Sequence, residues 1–238
     1  MSVFASAYTI LFLFLTTTII GKKIVLKNNS ISNSNAIIIL GSSLIGSLCF
    51  TFSDSFWFNA VEAEVYAMAT MIMALLFWLG FKWEENIDKK GGDRWLVLIS
   101  FVVGLSFGVH FMGLLVIPAI GMIYFFKKNP SPTFKGFVLA NILSGTILLF
   151  IFKLLLPSSL GLFGYLEVFF VNDLGLPFNS GTIFSALLII AFFYFGIKKT
   201  REKKWIKINT FLLCVMFVFI GFSSWLMIPI RSNANTVI

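Results

Sequence analysis

The sequence predicts an all-α fold: a polytopic transmembrane helix bundle of about eight spans, forming a single domain over residues 1–238. Three observations predict it. Of the residues, 58% are hydrophobic and only 12% charged, with a mean hydropathy of +0.96, whereas about a quarter of a soluble domain is charged. Apolar runs near the ~20 residues needed to cross a bilayer recur along the chain. Finally, sixteen of the 18 Lys and Arg fall in alternate connections between those runs, the asymmetry that the positive-inside rule requires.

The runs, in order, are 3–20, 36–53, 65–81, 95–109, 111–126, 137–156, 183–197 and 209–228. The first has no basic segment before it and no small-residue cleavage site after it, so it reads as a span and not as a signal peptide. Four connections are basic. They hold Lys22, Lys23 and Lys27; Lys82, Lys89, Lys90 and Arg94; Lys127, Lys128 and Lys135; and Lys198, Lys199, Arg201, Lys203, Lys204 and Lys207. Only Lys153 and Arg231 lie elsewhere. One orientation puts all four connections in the cytoplasm, and Asp54, Glu62, Glu64, Glu167 and Asp173 at the outer face. The net charge of +8 therefore reports topology and not nucleic-acid binding. Cys49 and Cys214 sit inside apolar runs and read as inert thiols.

Residues 93–128 need separate treatment. As one long helix, "DRWLVLISFVVGLSFGVHFMGLLVIPAIGMIYFFKK" would put Arg94 and Lys127 on opposite sides. A hairpin over 95–126, broken near Gly108, Val109 and His110, keeps both basic ends together. Each arm is then only roughly 23 Å long at ~1.5 Å per residue, against a hydrocarbon core of about 30 Å. The tip is thus sunken, and non-helical backbone at that depth needs protein or a water-filled cavity around it. The outer connection 157–181 is too apolar for a free linker. It predicts an interfacial helix with Leu162, Phe163, Leu166, Phe169 and Phe170 toward lipid.

The chemistry-bearing stretch is "FSDSFWFNAVEAEVYAM", residues 52–68, where Asp54, Glu62 and Glu64 stand among aromatic residues. On one continuous helix Asp54, Phe58 and Glu62 share a face, and Glu64 lies about 200° round from Glu62. The two glutamates enter one pocket only if the helix starts later or breaks. A carboxylate at a bilayer edge calls for a cation, a metal or a wet cavity; the plainer alternative is an acid favoured by the dipole of a helix N-terminus. His110 is the single histidine, and Arg231 is a guanidinium suited to phosphate or carboxylate. Tyr66, Trp57 and Trp225 fit either an interfacial aromatic belt or a sugar platform. There is no phosphate-binding glycine loop, no Ser-His-Asp set and no His/Cys metal spacing.

Residues 52–68, 93–128, "FVNDLGLPFNSGTIF" and "IPIRSNAN", in that order, resemble a family of large bacterial membrane proteins. The family is described as protein O-mannosyltransferase-like, or glycosyltransferase family 117 of the GT-C class. The resemblance runs from about Ala5 to Asn235. It implies a GT-C-like helix bundle that moves a sugar from a polyprenyl-phosphate donor to a hydroxyl on a secreted protein acceptor, in contact with membrane lipid. The setting it implies is the outer face of the inner membrane of a bacterium. Glu62, Glu64 and Tyr66 correspond to the family's "EAEVYA" stretch, residues 104–110 to "GLSxGVH", and Arg231 and Asn233 to "IRSNAN". Candidate catalytic groups are then Glu64, Glu62 and Asp54, and candidate substrate-binding groups are His110, Arg231, Tyr66, Trp57 and Asn233. No cofactor is assigned, though a divalent cation at the leaving phosphate is compatible with the acids. The family's upstream "WDxGEF" acidic loop is absent, and both ends of the chain abut spans. The expectation is therefore an internal piece of a larger enzyme, inactive alone. Two other readings stay open: a flippase component for a lipid-linked sugar, and a non-catalytic membrane scaffold.

Overall fold

A computed structural model of the chain describes residues 1–26, 30–62, 64–227 and 231. Among these the structure is helical without strands, and seven helices are long and apolar enough to cross a membrane. The eighth expected span is present as a helix, Asp93–Ser106, but has only 14 residues, about 21 Å at ~1.5 Å per residue. The chain divides into two compact units, residues 1–131 with 217–238 and residues 132–216.

The first unit is built on α4 (Tyr66–Asn86). Around it lie α1 (Ser2–Leu26), α3 (Asp54–Val61), α5 (Asp93–Ser106) and α6 (Val116–Lys128), while α2 (Asn33–Thr51) packs on α1. Within a membrane apolar burial does not drive helices together, so close packing of small residues must. Most buried positions of α1 and α2 follow that rule, while α4 buries large side chains as well. On α1 they are Ala5, Ser6, Thr9, Thr16 and Ile19. On α2 they are Ile39, Ser43 and Ser47, spaced four apart on one face. On α4 Ala67 and Ala69 lie above Leu76 and Leu79, which are among the least exposed side chains. The expected hairpin is there: α5 ends at Ser106, the backbone turns through 107–110, and a 3-10 turn (Phe111–Leu115) leads into α6. Gly113 closes it, because a Cβ there would lie 2.7 Å from the Ser106 Cβ.

Ion pairs bring the basic ends of this unit together. Lys23 of α1 pairs with Glu84 of α4, and Lys128 of α6 pairs with Asp88 in the turn before α5. Both arms of the hairpin therefore start and finish at the end where α1 and α4 finish. The hydrogen bond from Lys128 holds the Asp88 carboxyl below its usual range. A depressed carboxyl stabilises the fold above its unfolded value of about 3.9, and that contribution is lost as pH falls through the folded value. Lys128→Gln is expected to return Asp88 toward the ordinary carboxylate range, read by a carboxyl-resolved NMR titration.

In the second unit α7 (Phe134–Leu149) passes through a π turn (Phe150–Leu155) into α8 (Leu156–Val168), and a second π turn (Phe169–Asp173) ends it. The expected helix in 157–181 exists, but it prolongs α7 without an intervening loop. Pro157 stands within this continuous run, and its ring crowds the carbonyl four residues back. The wider π turn immediately before it relieves that crowding, so the helix continues. The 40-residue run Phe134–Asp173 is about 60 Å long at ~1.5 Å per residue, twice a hydrocarbon core of about 30 Å. Lys153 sits in the first π turn, exposed, with its ammonium 5.4 Å from the centre of the Phe152 ring.

Next comes α9 (Ser180–Glu202), followed by the start of α10 (Ile206–Phe222). Glu167 of α8 caps α9. Its carboxylate accepts the Asn179 N–H at 2.6 Å, and the Thr182 N–H and hydroxyl at 2.8 and 3.0 Å. This acid thus satisfies a helix N-terminus. Glu167→Ala is expected to raise the hydrogen-exchange rates of the Thr182 and Asn179 amides while leaving those of α7 unchanged.

Candidate functional site

The acidic stretch does not form one helix. α3 ends at Val61, and Glu62 takes an extended conformation (φ −78°, ψ 147°) while its N–H still reaches the Phe58 carbonyl at 3.1 Å. α4 then begins at Tyr66, with Val65 as its N-cap and no side-chain capping bond. The break separates the two glutamates: Glu62 closes α3, whereas Glu64 stands just ahead of α4. Glu64 immediately precedes Val65, the N-cap of α4, where the helix dipole favours an acid.

The break places Glu64 at the end of the first unit opposite the basic connections. There it lines a cavity of about 250 Å³ together with Met1, Ser2 and Ala5 of α1, Val65 and Met68 of the α4 entry, and Gly108 and Val109 of the hairpin turn. His110 follows directly, in extended backbone (φ −165°, ψ 137°). Its Nδ1 accepts the Met112 N–H at 3.2 Å, which puts the proton of the neutral ring on Nε2 and leaves that N–H as a donor. The ring is stacked on Phe111 at 4.6 Å and meets the Tyr66 ring at 5.7 Å. Tyr66 and His110, distant in sequence, are thereby paired next to the residues Val65, Gly108 and Val109 that line the Glu64 cavity.

The hairpin turn is held there by close backbone approach. A Cβ on Gly108 would meet the Ser224 Oγ at 2.6 Å. One layer deeper, Cβ atoms on Gly104 and Gly221 would lie 2.2 Å from the Val218 and Phe101 carbonyl oxygens. These glycines let α5 and the end of α10 cross with their backbones in contact.

The other predicted residues are placed elsewhere. Asp54 and Trp57 line an open groove of about 410 Å³ with Phe52 and Phe58, and the Trp57 ring stacks on Phe52 at 6.1 Å. The structure does not bring them into the Glu64 cavity. Arg231 is exposed, and Asn233 lies outside the described residues. Among the described residues no three His, Cys, Asp or Glu side chains gather as a metal cage. Sequence reasoning missed the α1 wall of the cavity. The signal available was the run of small residues, Ser2, Ala5 and Ser6, opening the first span.

The cavity offers a carboxylate able to take a proton beside an apolar wall, and the residue after its hairpin lining, His110, carries an imidazole N–H next to the Tyr66 ring. Residues 1–133 match the family described as protein O-mannosyl-transferase TMEM260 N-terminal domain. The matched portion contains Asp54, Trp57, Glu62, Glu64, Tyr66 and His110, whereas Arg231 and Asn233 lie beyond it. No curated protein and no solved structure matches the chain.

Proposed function

The chain belongs to the protein O-mannosyl-transferase TMEM260 N-terminal domain family, and from that premise we propose that it forms the membrane-embedded part of an enzyme taking mannose from a polyprenyl-phosphate carrier. The acceptor is a hydroxyl on a secreted protein. The chain then falls in glycosyltransferase family 117 of the GT-C class. It sits in the inner membrane of a bacterium, with the basic ends in the cytoplasm and the Glu64 end at the periplasmic face. The observation that carries this reading is the placement of Glu64 in a cavity walled by the hairpin turn at Gly108 and Val109, the residues just before the His110 that meets Tyr66, at the end away from the basic connections.

The reaction assigned to this mouth is a displacement at the anomeric carbon. The acceptor oxygen bonds to that carbon while the bond to the phosphate oxygen breaks, and the electron pair leaves with the polyprenyl phosphate. Glu64 takes the hydroxyl proton as general base, a role worth about 10²–10⁴ in rate. The His110 Nε2–H and the Arg231 guanidinium stabilise the negative charge growing on the phosphate. Tyr66 offers its ring to the sugar. A single hydrophobic wall beside this polar group suits a lipid-borne donor, whose isoprenoid chain stays in the hydrocarbon while its head enters the cavity.

The test supplies the full-length protein in membrane vesicles with labelled polyprenyl-phosphate mannose and a hydroxyl-bearing peptide, and in a parallel arm with a mannose nucleotide. Label reaching the peptide from the carrier lipid but not from the nucleotide is the expected result. Transfer only from the nucleotide, or movement of the intact lipid-linked sugar across the bilayer with no transfer, overturns the proposal. The second outcome would identify the flippase reading instead.

A further inference from the structure

A second cavity, of about 520 Å³, opens at the opposite end of the first unit, between the final turns of α1, α4 and α6. Its size lies within the range of about 300–1,000 Å³ usual for ligand sites. Its wall is apolar, with Phe81, Met122 and Phe126, and its rim carries Lys23, Glu84 and Lys127. Lys23 is ion-paired with Glu84 and stands 5.0 Å over the Phe81 ring. Lys127 has no ion-pair partner among the described residues. The neighbouring acids are already engaged, Glu85 with Lys82 and Asp88 with Lys128. Two ammonium groups therefore share one rim carboxylate, and the mouth carries a net positive charge.

We propose that this cavity binds an anionic glycerophospholipid from the leaflet at the basic end. Its phosphate lies between Lys23 and Lys127, and its upper acyl carbons lie along Phe81, Met122 and Phe126. Depth argues for a lipid: the runs Ser2–Leu26, Tyr66–Asn86 and Phe111–Lys128, each long and apolar enough to cross a membrane, all finish at it. The mouth therefore lies at headgroup level with the apolar wall just beneath. Charge argues for an anionic one, since each Lys near a membrane surface favours acidic lipid. Surface lysines alone would attract such lipids without specificity, but an apolar slot under a two-cation rim selects a headgroup and a chain together. The site is separate from the Glu64 mouth, and its existence does not depend on what is transferred there.

The test measures thermal unfolding of the purified full-length protein in a neutral maltoside detergent, titrated with phosphatidylglycerol, phosphatidylcholine or inorganic phosphate. Phosphatidylglycerol is expected to raise the midpoint, and the other two are not. Lys127→Gln is expected to need about fivefold more phosphatidylglycerol for the same shift, while Lys207→Gln, in the second unit, responds as the unaltered protein does. Equal stabilisation by phosphatidylcholine, or an unchanged response in Lys127→Gln, overturns the proposal. Stabilisation by inorganic phosphate alone also overturns it, in favour of a soluble anion. Should Lys127→Gln not fold, native mass spectrometry of the unaltered protein decides: phosphatidylglycerol retained in preference to phosphatidylcholine supports the site, and equal retention contradicts it.

Discussion

Gly221→Ala and Gly104→Ala are each expected to lower the unfolding midpoint by roughly 2–12 °C, the span set by an overpacking cost of about 1–3 kcal/mol at ~2–4 °C per kcal/mol. The reason lies in what the added methyl would meet. On Gly221 it would sit 2.2 Å from the Phe101 oxygen and 2.6 Å from the Leu105 nitrogen; on Gly104 it would sit 2.2 Å from the Val218 oxygen. These are backbone atoms, so no rotamer change relieves the clash and the helices must separate. Leucine at either place is expected to prevent the crossing altogether. Gly145→Ala is the contrast, because no atom lies within 4 Å of a Cβ there and helix propensity favours alanine over glycine by about 1 kcal/mol. Equal midpoints for Gly221→Ala and Gly145→Ala, measured in the same detergent, would show that α5 and α10 do not cross as described. The effect reaches the site as well. α5 carries the turn that brings Gly108 and Val109 to Glu64, so a separated crossing also opens the mouth.

Glu64→Gln is expected to lower sugar transfer by about 10²–10⁴, the usual worth of a general base. The substitution keeps the size and polarity of the side chain and removes its ability to take a proton. Glu62→Gln is expected to do much less. Glu62 ends α3 and does not line the cavity that Glu64 lines. The ranking distinguishes a reaction centre from a merely acidic outer surface, on which neutralising either glutamate would act alike through long-range charge.

Much of this arrangement was legible in the sequence, and the parts that were not have physical causes. The sorting of Lys and Arg into alternate connections anticipated the common end of α1, α4, α5 and α6, because like ends must face the same aqueous phase. The basic ends flanking the run around His110 anticipated the hairpin, since one continuous helix would have put them on opposite sides. The continuation of α7 through Pro157 was not legible: the cost of proline in an α-helix is real, but a π turn absorbs it, and hydropathy carries no sign of a π turn. The break at Glu62 could be framed from spacing only as a condition for both glutamates to enter one site. In the structure it sends just Glu64 to the cavity and leaves Glu62 behind. The pairing of Tyr66 with His110 depends on α4 and α5 lying side by side, which is tertiary information. The crossing of Gly104 with Gly221 is of the same kind, for a glycine in an apolar run looks alike whether it faces open space, as at Gly145, or another backbone.

The most direct test of the reaction centre is mannosyl transfer from polyprenyl-phosphate mannose to a hydroxyl-bearing peptide, in vesicles holding equal amounts of the full-length protein, its Glu64→Gln variant or its Glu85→Gln variant. Glu85 lies at the far end of α4, paired with Lys82, and serves as the acid of equal charge away from the mouth. The account predicts transfer at least about 100-fold slower for Glu64→Gln, with Glu85→Gln matching the unaltered protein. Undiminished transfer by a normally inserted Glu64→Gln protein would contradict it, and would move the chemistry away from the cavity between α1, α4 and the hairpin.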